Sequence, residues 1–197
     1  MEETGLAGKV VIIGGSAGSL EVLLKIVPRL SAVPSYAIVA VLHRKAGDDS
    51  TLEELLTRKG IIPVKSIEDK TQLRAGRLYV APSDYHLLFE NGGRLSLDVS
   101  EKINYSRPSI DVAFESAAEV YGENLVGILL SGSNSDGSAG LEAIRKMGGT
   151  VVVQDPDSAE MPFMPQSAIE NNSVDYILNV DQLIEFITRL DSGGKWQ

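Results

Sequence analysis

The stretch Val10-Val11-Ile12-Ile13-Gly14-Gly15-Ser16-Ala17-Gly18-Ser19 runs four β-branched residues into a loop of glycine, alanine and serine. A short apolar run bounded by glycine predicts a strand buried on both faces. Behind the loop, residues 19–30 carry Leu20, Leu23, Leu24 and Val27 at helical spacing, so the reading is strand, tight loop, amphipathic helix. The pattern recurs along the chain. Residues 37–42, Ala-Ile-Val-Ala-Val-Leu, form a second continuous apolar strand, with a helix near 51–59. The first strand is placed at 9–13, further strands are predicted at 78–81, 126–130, 150–154 and 176–179, and helices at 109–121, 137–147 and 181–190. Apolar strands alternating with helices predict a doubly wound α/β domain, its mostly parallel sheet covered on both faces. One segment breaks the rhythm. Two alternating runs, 86–90 and 94–98, flank Asn91-Gly92-Gly93, which predicts an antiparallel hairpin insertion.

Bulk properties narrow the function. At 197 residues the chain suits one domain, read here as 1–197. A net charge of −9 and the lack of any basic run argue against nucleic acid as partner. No apolar run approaches the roughly 20 residues that span a bilayer, and the acidic start, Met-Glu-Glu-Thr-Gly, does not read as a signal peptide. The absence of cysteine excludes disulfides and thiolate metal sites. A cytoplasmic protein is expected, with no cofactor and no metal.

The first loop fits G-x-S-x-G over Gly14 to Gly18, the elbow that lifts a serine hydroxyl above a strand's carboxyl end. Two other readings stand beside it: a ligand-binding loop, or simple turn and cap chemistry at Ser16. A dinucleotide fingerprint is not met, because serine occupies positions 16 and 19, and no Gly-Lys-Ser/Thr ending makes a P-loop. The chain has only two histidines. His43 ends the second strand, at the sheet edge where Ser16 is placed and where ligands of open α/β sheets gather. A solvated strand-end histidine is the competing reading. His86 opens the hairpin and is the weaker base, read as a satisfied surface histidine. Two histidines without cysteine argue against zinc.

A third loop, Ser131-Gly132-Ser133-Asn134-Ser135-Asp136-Gly137, follows a later strand. Asp136 is placed either to cap the next helix or to orient an imidazole. A calcium loop fails, since its first and twelfth ligand positions fall on Gly132 and Ala143. Asp155, Asp157 and Glu160 read as a solvated acidic loop rather than a cation site. Ser, His and Asp thus occur in that order at three strand ends, whereas α/β-hydrolases run Ser, Asp/Glu, His. The common esterase fold is excluded.

Taken together, these motifs resemble the catalytic domain of the chemotaxis protein-glutamate methylesterases, the CheB family. The resemblance spans nearly the whole chain. It rests on the Val10–Ser19 stretch, Val41-Leu42-His43, Arg107-Pro108-Ser109-Ile110-Asp111, residues 129–141, and Gln154-Asp155 with Met164-Pro165 and Ala168-Ile169. It implies a serine hydrolase that removes methyl groups from glutamate γ-methyl esters of chemoreceptors, with glutamine deamidation as a further activity. Ser16 would be the nucleophile, His43 its base and Asp136 the orienting acid. Backbone N–H groups near Ala17 and Ser133 would bind the oxyanion. Apart from the resemblance, Arg107 reads either as a contact for an acidic substrate segment or as a surface ion pair. The expected partners are a methylated chemoreceptor and a separate receiver or regulatory protein.

Departures from the family pattern are local. Its S-T-G-G is Ser16-Ala17-Gly18-Ser19 here, which loses a threonine hydroxyl. Its G-M-G is Gly132-Ser133-Asn134, where asparagine tolerates the positive φ a turn can need. The receiver domain placed ahead of the family's catalytic domain is not seen before the first strand. A stand-alone esterase or a portion of a longer protein is expected. The alternative is a weak or inactive CheB-like module that binds protein through the same loops.

Overall fold

A computed structural model describes residues 6–30, 34–44 and 50–191. Seven strands form one parallel sheet, built outward in two directions from β1 (Val10–Gly15). On one side lie β2 (Ala37–Leu42), β5 (Leu78–Val80) and β3 (Val64–Ser66). On the other lie β8 (Leu125–Leu129), β9 (Thr150–Gln154) and β10 (Tyr176–Leu178). Every residue of β1, β2 and β8 is buried, which is why these runs show no alternation of polar and apolar positions. The reversal of strand order at β1 opens a crevice at the carboxyl edge, the usual ligand site of such sheets.

Helices cover both faces. Helices α1 (Ser19–Ile26), α2 (Ser50–Lys59) and α6 (Val180–Arg189) lie on one face, in the core that holds Val11, Ile13, Ile38 and Ile128. On the other, α3 (Ile110–Tyr121), α4 (Ser138–Lys146) and α5 (Phe163–Asn171) join the core of Val10, Ile12, Val39 and Leu129. The hairpin forms as the sequence indicates: β6 (His86–Glu90) pairs antiparallel with β7 (Arg94–Asp98), and β4 (Thr71–Gln72) completes a small second sheet. The hairpin packs on α3 through Leu87 and Phe89.

Two expectations change. The first helix ends at Ile26 and tightens into a 3-10 turn over Val27–Arg29, because Pro28 cannot continue an α-helix. Its buried face is Ser19, Val22, Leu23 and Ile26, while Leu20 is exposed, so the true stripe is rotated from the leucine spacing. Helix α5 and strands β3 and β4 have no counterpart in the sequence reading.

Candidate active site

Three loops meet at the carboxyl edge. The turn after β1 carries Ser16 and is pinned on both sides. Ser16 N–H donates to Ser131 O (2.9 Å), beyond the end of β8, and His43 N–H donates to Gly15 O (3.0 Å), beyond the end of β2. Gly18 closes the turn at φ 81°, and a Cβ there would stand 2.6 Å from Glu160 Cβ and 2.7 Å from Ser131 Oγ. Both its conformation and its space therefore call for glycine. Ser19, where the family has glycine, is buried and donates its hydroxyl to Ser16 O, so a hydroxyl still ties this turn.

His43 and Asp136, 93 positions apart, meet at 2.7 Å through Nε2 and Oδ2. The Asp136 side chain is fully buried and that of His43 is 12% exposed. Asp136 accepts three further hydrogen bonds: Ser109 Oγ (2.9 Å) and Asp111 N–H (3.1 Å) at Oδ1, and Ile110 N–H (2.7 Å) at Oδ2. Burial acts against its charge, but the His43 bond and the N–H groups of Ile110 and Asp111 outweigh it and hold the carboxyl below the usual range. An ionised Asp136 takes the proton of His43 on Nε2, which leaves the lone pair on Nδ1.

The cap expected of Asp136 is present but serves another helix. Its carboxylate receives the first N–H groups of α3, whereas α4 begins at Gly137 with no side-chain cap from its own loop. Asp111 reciprocates: its Oδ1 accepts Gly137 N–H and Gly140 N–H, both at 2.8 Å. The two helix starts are thus tied by exchanged carboxylates, each at the other's positive end. Burial, with Asp136 beside it, pushes the Asp111 carboxyl up to about 6, against the pull of the glycine N–H groups.

The N–H groups of Ala17 and Ser133 make no hydrogen bond among the described residues, and both residues are exposed on the loops that border Ser16. Gly132 lies against Ser16, for a Cβ on it would be 3.0 Å from Ser16 Cβ and 2.5 Å from Met164 Cε. Asn134 does not use positive φ; its Oδ1 accepts Asp136 N–H (3.1 Å) and shapes the turn that way. Arg107 lines a cavity with His43, but its Nη1 is tied to Val99 O and Ser100 O, both at 2.8 Å. The Ser16 side chain forms no hydrogen bond among the described residues.

His86 is a correction: it is buried, not at the surface. Its Nε2 donates to Glu101 O (2.9 Å) and its Nδ1 accepts Ser109 N–H (3.1 Å), so it steadies the residue that donates to Asp136. Roles for Ser109, Asp111 and Gln154 went unread in the sequence. Gln154 is buried and its Oε1 accepts Ser131 N–H (2.9 Å), holding the strand end on which Ser16 leans. A polar residue ending an otherwise apolar strand was the available signal. Asp155 caps a 3-10 turn by accepting Asp157 N–H (3.0 Å), and among the described residues no cluster of three His, Cys, Asp or Glu is placed to hold a metal ion.

An imidazole held by a buried carboxylate, at a sheet edge that also carries a serine on a tight loop, matches the equipment of serine hydrolases, set here on a doubly wound sheet. The chain belongs to the CheB methylesterase family, whose model matches residues 11–187. It is 44% identical over 184 residues to a protein of Leptospira interrogans, covering 93% of this chain and 95% of that one. It is 34% identical over 188 residues to the protein-glutamate methylesterase/protein-glutamine glutaminase of Thermotoga maritima, covering 94% of this chain and 55% of that one. The crystal structure of the Thermotoga maritima CheB methylesterase catalytic domain superposes with a TM-score of 0.88, at 34% identity, covering 94% of this chain and all of that one.

Proposed function

We propose that this chain is a protein-glutamate methylesterase that works through Ser16, His43 and Asp136. The observation that carries the reading is the His43–Asp136 bond of 2.7 Å, made by a fully buried carboxylate at the edge where Ser16 stands. His43 Nδ1 takes the proton of Ser16 Oγ as the oxygen attacks the ester carbonyl of a glutamyl γ-methyl ester. Negative charge on the carbonyl oxygen is met by the N–H groups of Ala17 and Ser133 and by the start of α1. The intermediate collapses with loss of methanol, protonated by the imidazolium that Asp136 stabilises. Water, deprotonated by His43, then attacks the glutamyl-enzyme ester and returns Ser16 with a free glutamate. With a glutamine side chain the same steps release ammonia.

The substrates are methylated chemoreceptors, and the place of action is the cytoplasm; among the described residues no helix is long and apolar enough to cross a membrane. Residues 11–187, the part that the family model matches, act as a catalytic domain, and a receiver or regulatory protein is a further partner. The reading is tested by methanol release from peptides bearing a glutamyl γ-methyl ester, together with intact mass after a fluorophosphonate. Methanol release and a single adduct on Ser16 are expected. A folded protein that takes no adduct and releases no methanol would overturn the reading.

A further inference from the structure

A cavity of about 340 Å³ opens directly beside His43. Among the described residues, its walls carry Arg44, Lys102 and Arg107 against one carboxylate, Asp84, in a chain whose net charge is −9. Local positive charge in an acidic protein attracts acidic ligands and repels basic ones. The two arginines are committed to the protein. Arg107 holds Val99 O and Ser100 O and stands 3.8 Å from Asp84, while Arg44 donates to Ala81 O (2.6 Å) and stands 3.8 Å from Glu53. Lys102 differs. It is exposed and makes no ion pair or hydrogen bond among the described residues.

The loop that carries Lys102 is shaped for contact. It closes through Ile103 and Ser106, with Asn104 at φ 50° and Tyr105 at φ 63°, and Tyr105 is 98% exposed beside the cavity. Val99 and Ile103 are exposed on the same loop. His43 itself lines the cavity, so this wall borders the imidazole that would serve an ester at Ser16.

We propose that this cavity seats an acidic side chain of the substrate polypeptide next to the glutamyl ester, and that Lys102 is the residue that reads its charge. The inference rests on the methylesterase reading for the identity of the ester. Arg107, anchored to two carbonyls, holds the wall, and Lys102, with a mobile ammonium, makes the contact.

The test uses the whole chain carrying Ser16→Ala, so that bound ester is not consumed. Two fluorescent peptides share one glutamyl γ-methyl ester and differ in having glutamates or glutamines on both sides of it. Anisotropy titration should show the glutamate peptide binding about threefold to fivefold more tightly, the range of a single exposed charge contact. Added salt should shrink that ratio. Lys102→Gln should bring it to about one, and Lys102→Glu should reverse it and favour a third peptide with flanking lysines, a gain that misfolding cannot imitate. Equal binding of the two peptides, or a preference untouched by both Lys102 changes, would overturn the proposal. Methanol release by the unmodified chain is read separately. Its absence alongside an intact, Lys102-dependent preference would refute the esterase and leave the acidic subsite standing.

Discussion

Replacing Asp136 by asparagine separates its two attachments, to the imidazole of His43 and to the start of α3. The amide matches the carboxylate in shape but not in hydrogen bonding, since one acceptor oxygen becomes a donor. If the remaining oxygen takes the Oδ2 position, it still accepts Ile110 N–H and His43 Nε2–H. The new amide then faces Ser109 Oγ, which can turn to accept, and Asp111 N–H, which cannot. One buried donor without a partner costs about 1–3 kcal/mol, and the lost charge at the α3 start adds up to about 1 kcal/mol. The sum, roughly 1–4 kcal/mol, lowers Tm by roughly 2–16 °C in a domain of this size. A plain exposed cap would lose almost nothing, because asparagine caps about as well as aspartate. Catalysis suffers separately, since the imidazolium loses its counter-charge in a dry site. In the chymotrypsin-type triad the same change costs about 10⁴-fold, and at least roughly 10²-fold is expected here. Methanol release is measured well below the lowered Tm, beside Ser109→Ala, which removes one bond to Asp136 and keeps the charge. That control should cost about 1 kcal/mol and less than about tenfold in turnover. Asp136→Asn turning over within about threefold of the unmodified chain would refute the role given to the carboxylate.

Ser16→Ala should abolish methanol release and move Tm by no more than about 2 °C, because Ser16 is half-exposed and its hydroxyl makes no bond among the described residues. Retained turnover would remove Ser16 as nucleophile. Asp111 bears on the pH dependence of stability. Its folded carboxyl titrates at about 6, above the roughly 3.9 of an unfolded aspartate, so its contribution is full below about pH 4 and lost as pH rises through 6. Asp111→Asn keeps an oxygen for Gly137 and Gly140 N–H, so melting curves from pH 4 to 7 should lose that downward slope. A slope identical to the unmodified chain's would show that another group sets it. Gly132→Ala presses on Ser16 Cβ and on the flexible end of Met164. Methionine can yield, so stability should fall by only about 1–2 kcal/mol while displacement of Ser16 lowers kcat at least roughly tenfold; unchanged kcat would show that the loop absorbs the methyl group.

Local pattern alone determined much of this protein. Continuous apolar runs at Val10–Gly15, Ala37–Leu42 and Thr150–Gln154 announce buried parallel strands, and the glycine-rich ends announce the loops that carry Ser16 and Asp136. The 86–98 hairpin is legible for the same reason, since turn chemistry and alternation are properties of neighbouring residues. Helix α5 was hidden because it follows Pro162 and contains Pro165, residues that read as breakers yet are tolerated in a first turn. Strands β3 and β4, three and two residues long, exist only through the strands they pair with. What only the tertiary structure decided is who meets whom. The helix that Asp136 caps, the exchange with Asp111, the burial of His86 and the link from Gln154 to Ser131 join residues 23 to 93 positions apart. Periodicity extends over a few turns of chain, whereas these bonds form where packed layers bring distant donors to buried acceptors that water cannot reach.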